Sequence, residues 1–286
     1  MSRVAALPPW LGVLFVLFAG RAYAGSDEGV PRMVTFGGSC HGCSLAGRKL
    51  TGASFTGGDF SNSSLIDTDL RGASFTATSF AGADFTRADL RSAALLGVNF
   101  SGAIFVDARL DGVEGAGAKF VMANLKRANL QSAELVGSNF SNATLVDAKL
   151  DSAELVASNL GGVDGRRADF HGANLSGAHL NGKFLDASFR EATLDAADLS
   201  GGVFTDADFH DASLGGARIS GADLSGAHGL EQDQLDEACG DASTRLPAGL
   251  VARCHPSHIR FRPPHFHWRP TAHLGPPAPP PPAWPR

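Results

Sequence analysis

The sequence predicts an all-β fold: a solenoid coiled into a four-sided column, closed by a short C-terminal helix and followed by a Pro/His-rich tail. Three observations carry this. A large apolar residue recurs at every fifth position over most of the span from Leu45 to Leu224. A small residue, usually Ala, stands two positions before it, as at Ala53, Ala73, Ala83 and Ala123. Every twentieth residue then repeats the same side chain, as in Phe60, Phe80, Phe100, Phe120 and Phe140, or Leu50, Leu70, Leu90, Leu110, Leu130 and Leu150. Helices bury positions three and four apart, and half-buried strands every second one. A period of five matches neither, so each unit is one side of a larger coil and four sides make one turn.

The chain begins with a leader. Arg3 precedes the apolar run "WLGVLFVLFAG", Trp10 to Gly20, and "AYA", Ala22 to Ala24, supplies small residues for cleavage before Gly25. This pattern predicts a secretory signal over residues 1–24. The run is short of the roughly 20 apolar residues that span a bilayer, and no later segment is long enough. The expected location is therefore periplasmic or secreted, and the four cysteines, Cys40, Cys43, Cys239 and Cys254, are expected in disulfides. Residues 25–39 are a lead-in.

Residues 40–229 form the solenoid. Internal repetition of this length marks a repeat architecture. Asp, Asn, Ser and Gly occupy the corners, as suits turns, and each coil pairs with its neighbours about 4.8 Å away. Roughly nine coils give a rod on the order of 45 Å long. The units are similar to those of the pentapeptide-repeat family, with its A-[DN]-L-x-x consensus, over about Leu45 to Leu224. That resemblance implies a right-handed quadrilateral β-helix. Two departures stand out. Gly115 and Gly165 take positions where the period calls for a large side chain, which predicts a small void, a kink or a bulge. Between Leu180 and Phe189 one residue is missing, with Phe184 or Leu185 as the intervening centre. The ladder survives if one unit is short, giving one continuous rod; the alternative is two rods joined at Asn181–Lys183.

Solenoid ends expose apolar faces and unpaired edges, so they need caps. "SCHGCSL" opens the rod with Cys40 at a central and Cys43 at a small-residue position; a redox dithiol, or a metal site with His41, is the functional alternative. Residues 230–254 close it. "LEQDQLDEA", Leu230 to Ala238, has the acidic start and apolar spacing of a short amphipathic helix, and resembles the helical end of many bacterial pentapeptide-repeat proteins. A rigid rod of this length separates the two cysteine pairs, leaving Cys40–Cys43 and Cys239–Cys254 as the connectivity.

From residue 255 the composition changes. The segment 255–286 has no acidic residue, is rich in proline, and carries Arg260, Arg262, Arg269 and Arg286, Trp268 and Trp284, and His255, His258, His265, His267 and His273. Such a composition predicts an extended, disordered segment of polyproline II character. The net charge is −5. Removing two leader and four tail arginines leaves −11 on residues 25–254.

No nucleophile elbow, phosphate loop or zinc-protease helix is present, so neither an enzyme nor a cofactor is expected. Asp84, Asp89, Asp198 and Asp223, each just before a central residue, read as solvated turn residues. His171, His179, His210 and His228 read as surface residues. The leading expectation is a non-catalytic scaffold for an unknown protein partner, with Trp268, Trp284, Arg260, Arg262 and Arg269 as candidate contacts. A second reading is divalent transition-metal binding by the five tail histidines. A third follows from the resemblance: some pentapeptide-repeat proteins mimic DNA and bind DNA gyrase. Export argues against that, and nucleic acid itself is not an expected partner. Oligomeric state is left open.

Overall fold

A computed structural model describes residues 35–254. The leader, the first part of the lead-in and the tail lie outside the described residues. The fold is a right-handed quadrilateral β-helix. One side carries four three-residue strands, β1 (Thr35–Gly37), β2 (Ser54–Thr56), β3 (Ser74–Thr76) and β4 (Ala94–Leu96), parallel and in that order. On the other sides single residues bridge to the coil above and below, as in Ser64 to Asp84 and Asp84 to Ile104. Each central residue donates its N–H onward, as Leu65 does to the Asp84 carbonyl (2.7 Å). The residue before it donates back, as Asp84 does to the Ser63 carbonyl (2.9 Å).

Corners are tight. After a central residue come two turn residues, and the next N–H closes onto the central carbonyl, as from Ala83 to Phe80 (3.0 Å). The second turn residue has positive φ, which glycine tolerates best. Yet Arg87 (φ 56°) and Met122 (φ 56°) also adopt it. A side chain just before the centre clamps the corner: Asp84 Oδ1 accepts the Thr86 N–H (2.9 Å), Asn139 Oδ1 that of Ser141 (2.9 Å) and Asp198 Oδ1 that of Ser200 (3.0 Å). The [DN] of the repeat is thus a half-buried acceptor that fixes the turn, rather than a solvated corner residue.

Central and small residues fill the interior. Phe60, Phe80, Phe100, Phe120 and Phe140 stack with centroids 5.2, 5.9, 5.2 and 4.8 Å apart. Neighbouring ladders meet them edge-on, as Phe105 meets Phe100 at 5.1 Å. A second aromatic block begins at Phe170, which stacks on Phe189 (5.0 Å), itself on Phe209 (5.1 Å).

Gly115 and Gly165 produce neither void, kink nor bulge. Pairing runs unbroken from Glu114 to Glu134 and from Asp164 to Lys183. A Cβ at Gly115 would lie 2.9 Å from Leu135 Cδ2, and one at Gly165 would lie 2.6 Å from Phe184 Cδ1. Neighbouring side chains therefore occupy the space. Gly165→Leu restores the repeat pattern but is expected to destabilise by about 1–3 kcal/mol through overpacking. Urea melts should show this, with partial rescue by Phe184→Ala. A stabilised single variant would mean the space is empty.

The rod is continuous across the missing residue. Phe184 is the buried centre and Leu185 is half-buried. One turn residue, Asn181, replaces the usual two, and the Gly182 N–H reaches the Leu180 carbonyl (2.8 Å) in a three-residue turn. Gly182 is required there, since a Cβ would meet the Val163 carbonyl at 2.6 Å. A similar short step lies between Phe36 and Cys40. Phe36, assigned to the lead-in by its spacing, is part of the first coil: it pairs with Phe55 and stacks on it at 4.6 Å.

Some small positions hold hydroxyls. Ser138 Oγ donates to the Gly115 carbonyl (2.9 Å), whereas buried Ser158 Oγ, one coil on, has no partner. Ser158→Ala is expected to be neutral or to stabilise by up to about 1 kcal/mol, and Ser138→Ala to destabilise by about 1 kcal/mol. Comparing the two thermal midpoints checks this.

At the C-terminal end α1 (Gln232–Glu237) replaces one side of the last turn and inserts fully buried Leu235 beneath the core. Gln234 Nε2 donates to the Phe209 (3.1 Å) and Ala212 (2.8 Å) carbonyls, which no further coil covers. Coil pairing resumes past the helix, Cys239 bridging to Arg218 and Arg245 to Asp223.

Candidate interaction surface

With the interior filled by apolar side chains, recognition chemistry is confined to the surface. Sampling the second turn residue along one edge gives Asp67, Arg87, Asp107, Arg127, Asp147 and Arg167, an alternating charge ladder. Arg87 Nε and Nη2 donate to both Asp67 oxygens (2.7 Å each); Arg127 binds Asp107 (2.6 and 2.7 Å), and Arg167 binds Asp147 (2.7 and 3.0 Å). Hydrogen bonding by each guanidinium lowers the pKa of its Asp. On a neighbouring edge Arg71 holds Asp69 at about 2. These pairs are exposed, so each adds little stability. The ladder was visible in the sequence at a step of twenty.

The edge changes after Arg167. The next two positions are Asp186 and Asp206, with no arginine between them. Charge over the whole chain follows. Residues 35–185 carry 14 acidic and 13 basic side chains; residues 186–254 carry 13 acidic and four basic. The negative charge is thus concentrated at one end, not spread along the rod as the net figure of −11 suggests.

The structure joins Cys40 to Cys43 (Cα–Cα 5.6 Å) and Cys239 to Cys254 (4.2 Å). Cys40 packs on the core, and Ser63 Oγ donates to its carbonyl (3.0 Å). His179, His210 and His228 are exposed, but His171 is half-buried and its Nδ1 lacks a partner. The tail candidates Trp268, Trp284, Arg260, Arg262 and Arg269, and the histidines His255, His258, His265, His267 and His273, lie outside the described residues. Among the described residues no three His, Cys, Asp or Glu side chains gather to hold a metal, and no helix is long and apolar enough to cross a membrane.

A known structure shares this architecture. HetL, a pentapeptide repeat protein involved in heterocyst differentiation regulation in the cyanobacterium Nostoc, is 27% identical, with a TM-score of 0.54 over 71% of this chain and 92% of its own. QnrB1, a plasmid-mediated fluoroquinolone resistance protein, is 22% identical in a trypsin-treated form, with a TM-score of 0.42 over 72% of this chain and 92% of its own. A pentapeptide repeat protein of the Arabidopsis thaliana thylakoid lumen is 30% identical over 37% of this chain and 70% of its own, with a TM-score of 0.26. Among curated proteins none matches the sequence. Pentapeptide repeats match residues 39–76, 143–182 and 187–226, and a pentapeptide repeat region matches residues 83–160. Together these cover more than half of the chain, and the protein belongs to the pentapeptide-repeat family.

Proposed function

We propose that the protein is an exported, non-catalytic scaffold that binds a protein partner through the outer surface of its rod and its Trp- and Arg-bearing tail. The observation that supports this most is the filled interior. Central side chains from Phe55 to Leu224 are buried throughout the coils, and the polar groups at the surface are largely engaged in clamping corners or pairing coils. Such a surface is rigid and pre-organised, which favours recognition. Export rests on the leader pattern, and the two joined cysteine pairs suit an oxidising compartment.

DNA mimicry is poorly supported by the charge pattern. Duplex DNA carries a negative charge about every 1.7 Å, whereas the coils up to residue 185 are nearly neutral. The metal reading rests on tail histidines outside the described residues.

Crosslinking and affinity capture from the native envelope test the proposal, comparing the mature chain with one ending at Cys254. A partner retained with the mature chain alone places the contact on the tail. A partner retained by both places it on the rod. Retention by neither overturns the scaffold reading.

A further inference from the structure

We propose that the Cys40–Cys43 pair is a reversible redox centre that exchanges electrons with a dithiol of a protein partner, one exchange per encounter, while the rod stays folded. This goes beyond the scaffold reading and does not depend on it. The pair stands on the outermost described coil. Its register turns both side chains inward, but no described coil lies above them. One coil below, the same two positions hold Phe60 and Ser63, which are 3% and 1% exposed. Cys40 and Cys43 are half-buried instead. The open end of the rod thus gives an incoming thiolate a way to the sulfurs, as exchange requires.

The turn does not need the bond. Ordinary corners place a central residue and the small one three positions on with no covalent link, as Phe80 and Ala83 do. Here the coil beneath holds both cysteines by their backbones. Cys40 donates its N–H to the Asp59 carbonyl (2.7 Å), Gly42 donates to that of Ser61 (2.9 Å), and the Cys43 carbonyl accepts the Ser64 N–H (2.7 Å). Ser63 Oγ accepts the Cys43 N–H (3.2 Å) and donates to the Cys40 carbonyl (3.0 Å). None of these bonds involves a sulfur, and they keep the two Cα atoms 5.6 Å apart, a separation that a disulfide spans. A link across so short a loop removes little chain entropy, so opening it costs the fold little. The Cys239–Cys254 link is the contrast, since it closes a loop of 15 residues. Metal ligation does not compete for the thiols: His41 Nε2 lies 3.1 Å from Asn62 Nδ2, and no third ligand gathers among the described residues.

Cys40 packs on the core, which leaves Cys43 as the sulfur open to attack. A partner thiolate bonds to Cys43 Sγ, the Cys40–Cys43 bond breaks, and Cys40 leaves as a thiolate and takes up a proton. The partner's second thiolate then displaces Cys43, which is protonated in turn. The partner dithiol loses two electrons and two protons and becomes a disulfide; the cysteine pair gains them and becomes two thiols. Oxidised glutathione restores the bond by the reverse exchange.

The test uses the mature chain, a glutathione redox buffer and a synthetic peptide carrying two cysteines. Alkylation and mass spectrometry read each cysteine pair separately. Cys40–Cys43 is expected to be half open at a glutathione ratio about tenfold less reducing than Cys239–Cys254 requires. Equal ratios, or the reverse order, overturn the proposal. Hydrogen exchange at Gly42 and Ser64 should stay unchanged once the pair opens; acceleration there would make the bond a structural staple and overturn it too. The reduced peptide should become a disulfide in step with the opening of Cys40–Cys43. It should not do so with Cys40→Ser/Cys43→Ser, and the same rate with that variant overturns the exchange. The mixed disulfide with the oxidised peptide should accumulate on Cys40→Ala about tenfold faster than on Cys43→Ala. The opposite order overturns Cys43 as the attacked sulfur.

Discussion

Phe100→Ala is expected to lower stability by about 3–5 kcal/mol, and Phe100→Asp to abolish the intact rod. Phe100 is fully buried at mid-length, stacked between Phe80 and Phe120 and met edge-on by Phe85 (5.5 Å) and Phe105. Alanine forfeits contacts to the coils above and below at once, and the backbone pairing around it prevents collapse into the space. An aspartate there would be charged without a partner in an apolar interior. Coils in a solenoid depend on their immediate neighbours, so damage at this level separates the two halves of the rod. Urea unfolding followed by β-type circular dichroism measures both variants. Native midpoints for Phe100→Asp would mean the interior is wrongly assigned.

The paired substitution Cys239→Ser/Cys254→Ser is expected to cost about 3 kcal/mol, the value for a closed loop of 15 residues. The loss should be local. Beyond Cys239 the final turn is held by Cys239 N–H to the Ala217 carbonyl (2.7 Å), Arg245 N–H to Ala222 (2.9 Å), Thr244 Oγ1 to Ile219 (2.9 Å) and the Gln232–Val251 clamp. With no coil beneath them, these bonds depend on the covalent link. Hydrogen exchange should accelerate at the Cys239 position and Arg245 while the Phe100 coil stays protected. Reducing the native chain should reproduce the effect. Unchanged exchange would show that α1 and its side-chain bonds suffice. The Cys40–Cys43 link encloses a far shorter loop and should contribute less.

Sequence periodicity by itself determined the coil, its four sides and the identity of most of its buried residues, because a solenoid repeats one local geometry. The same side chains must recur at each coil height, so Phe60 announces Phe80 and Phe100. Positions that break the period were not legible in that way. Gly165 read as a gap, yet the Phe184 ring occupies it. Phe36 fell out of register, yet a four-residue step brings it onto Phe55. These outcomes depend on which side chain leans into which space across coils, a property of packing rather than of spacing. Surface chemistry divides similarly. Net charge was readable from composition. Its cancellation along the Asp67-to-Arg167 edge required the side chains of residues one coil apart to be placed within hydrogen-bond distance of one another. Coulomb energy depends on distance through space, which the tertiary structure alone supplies.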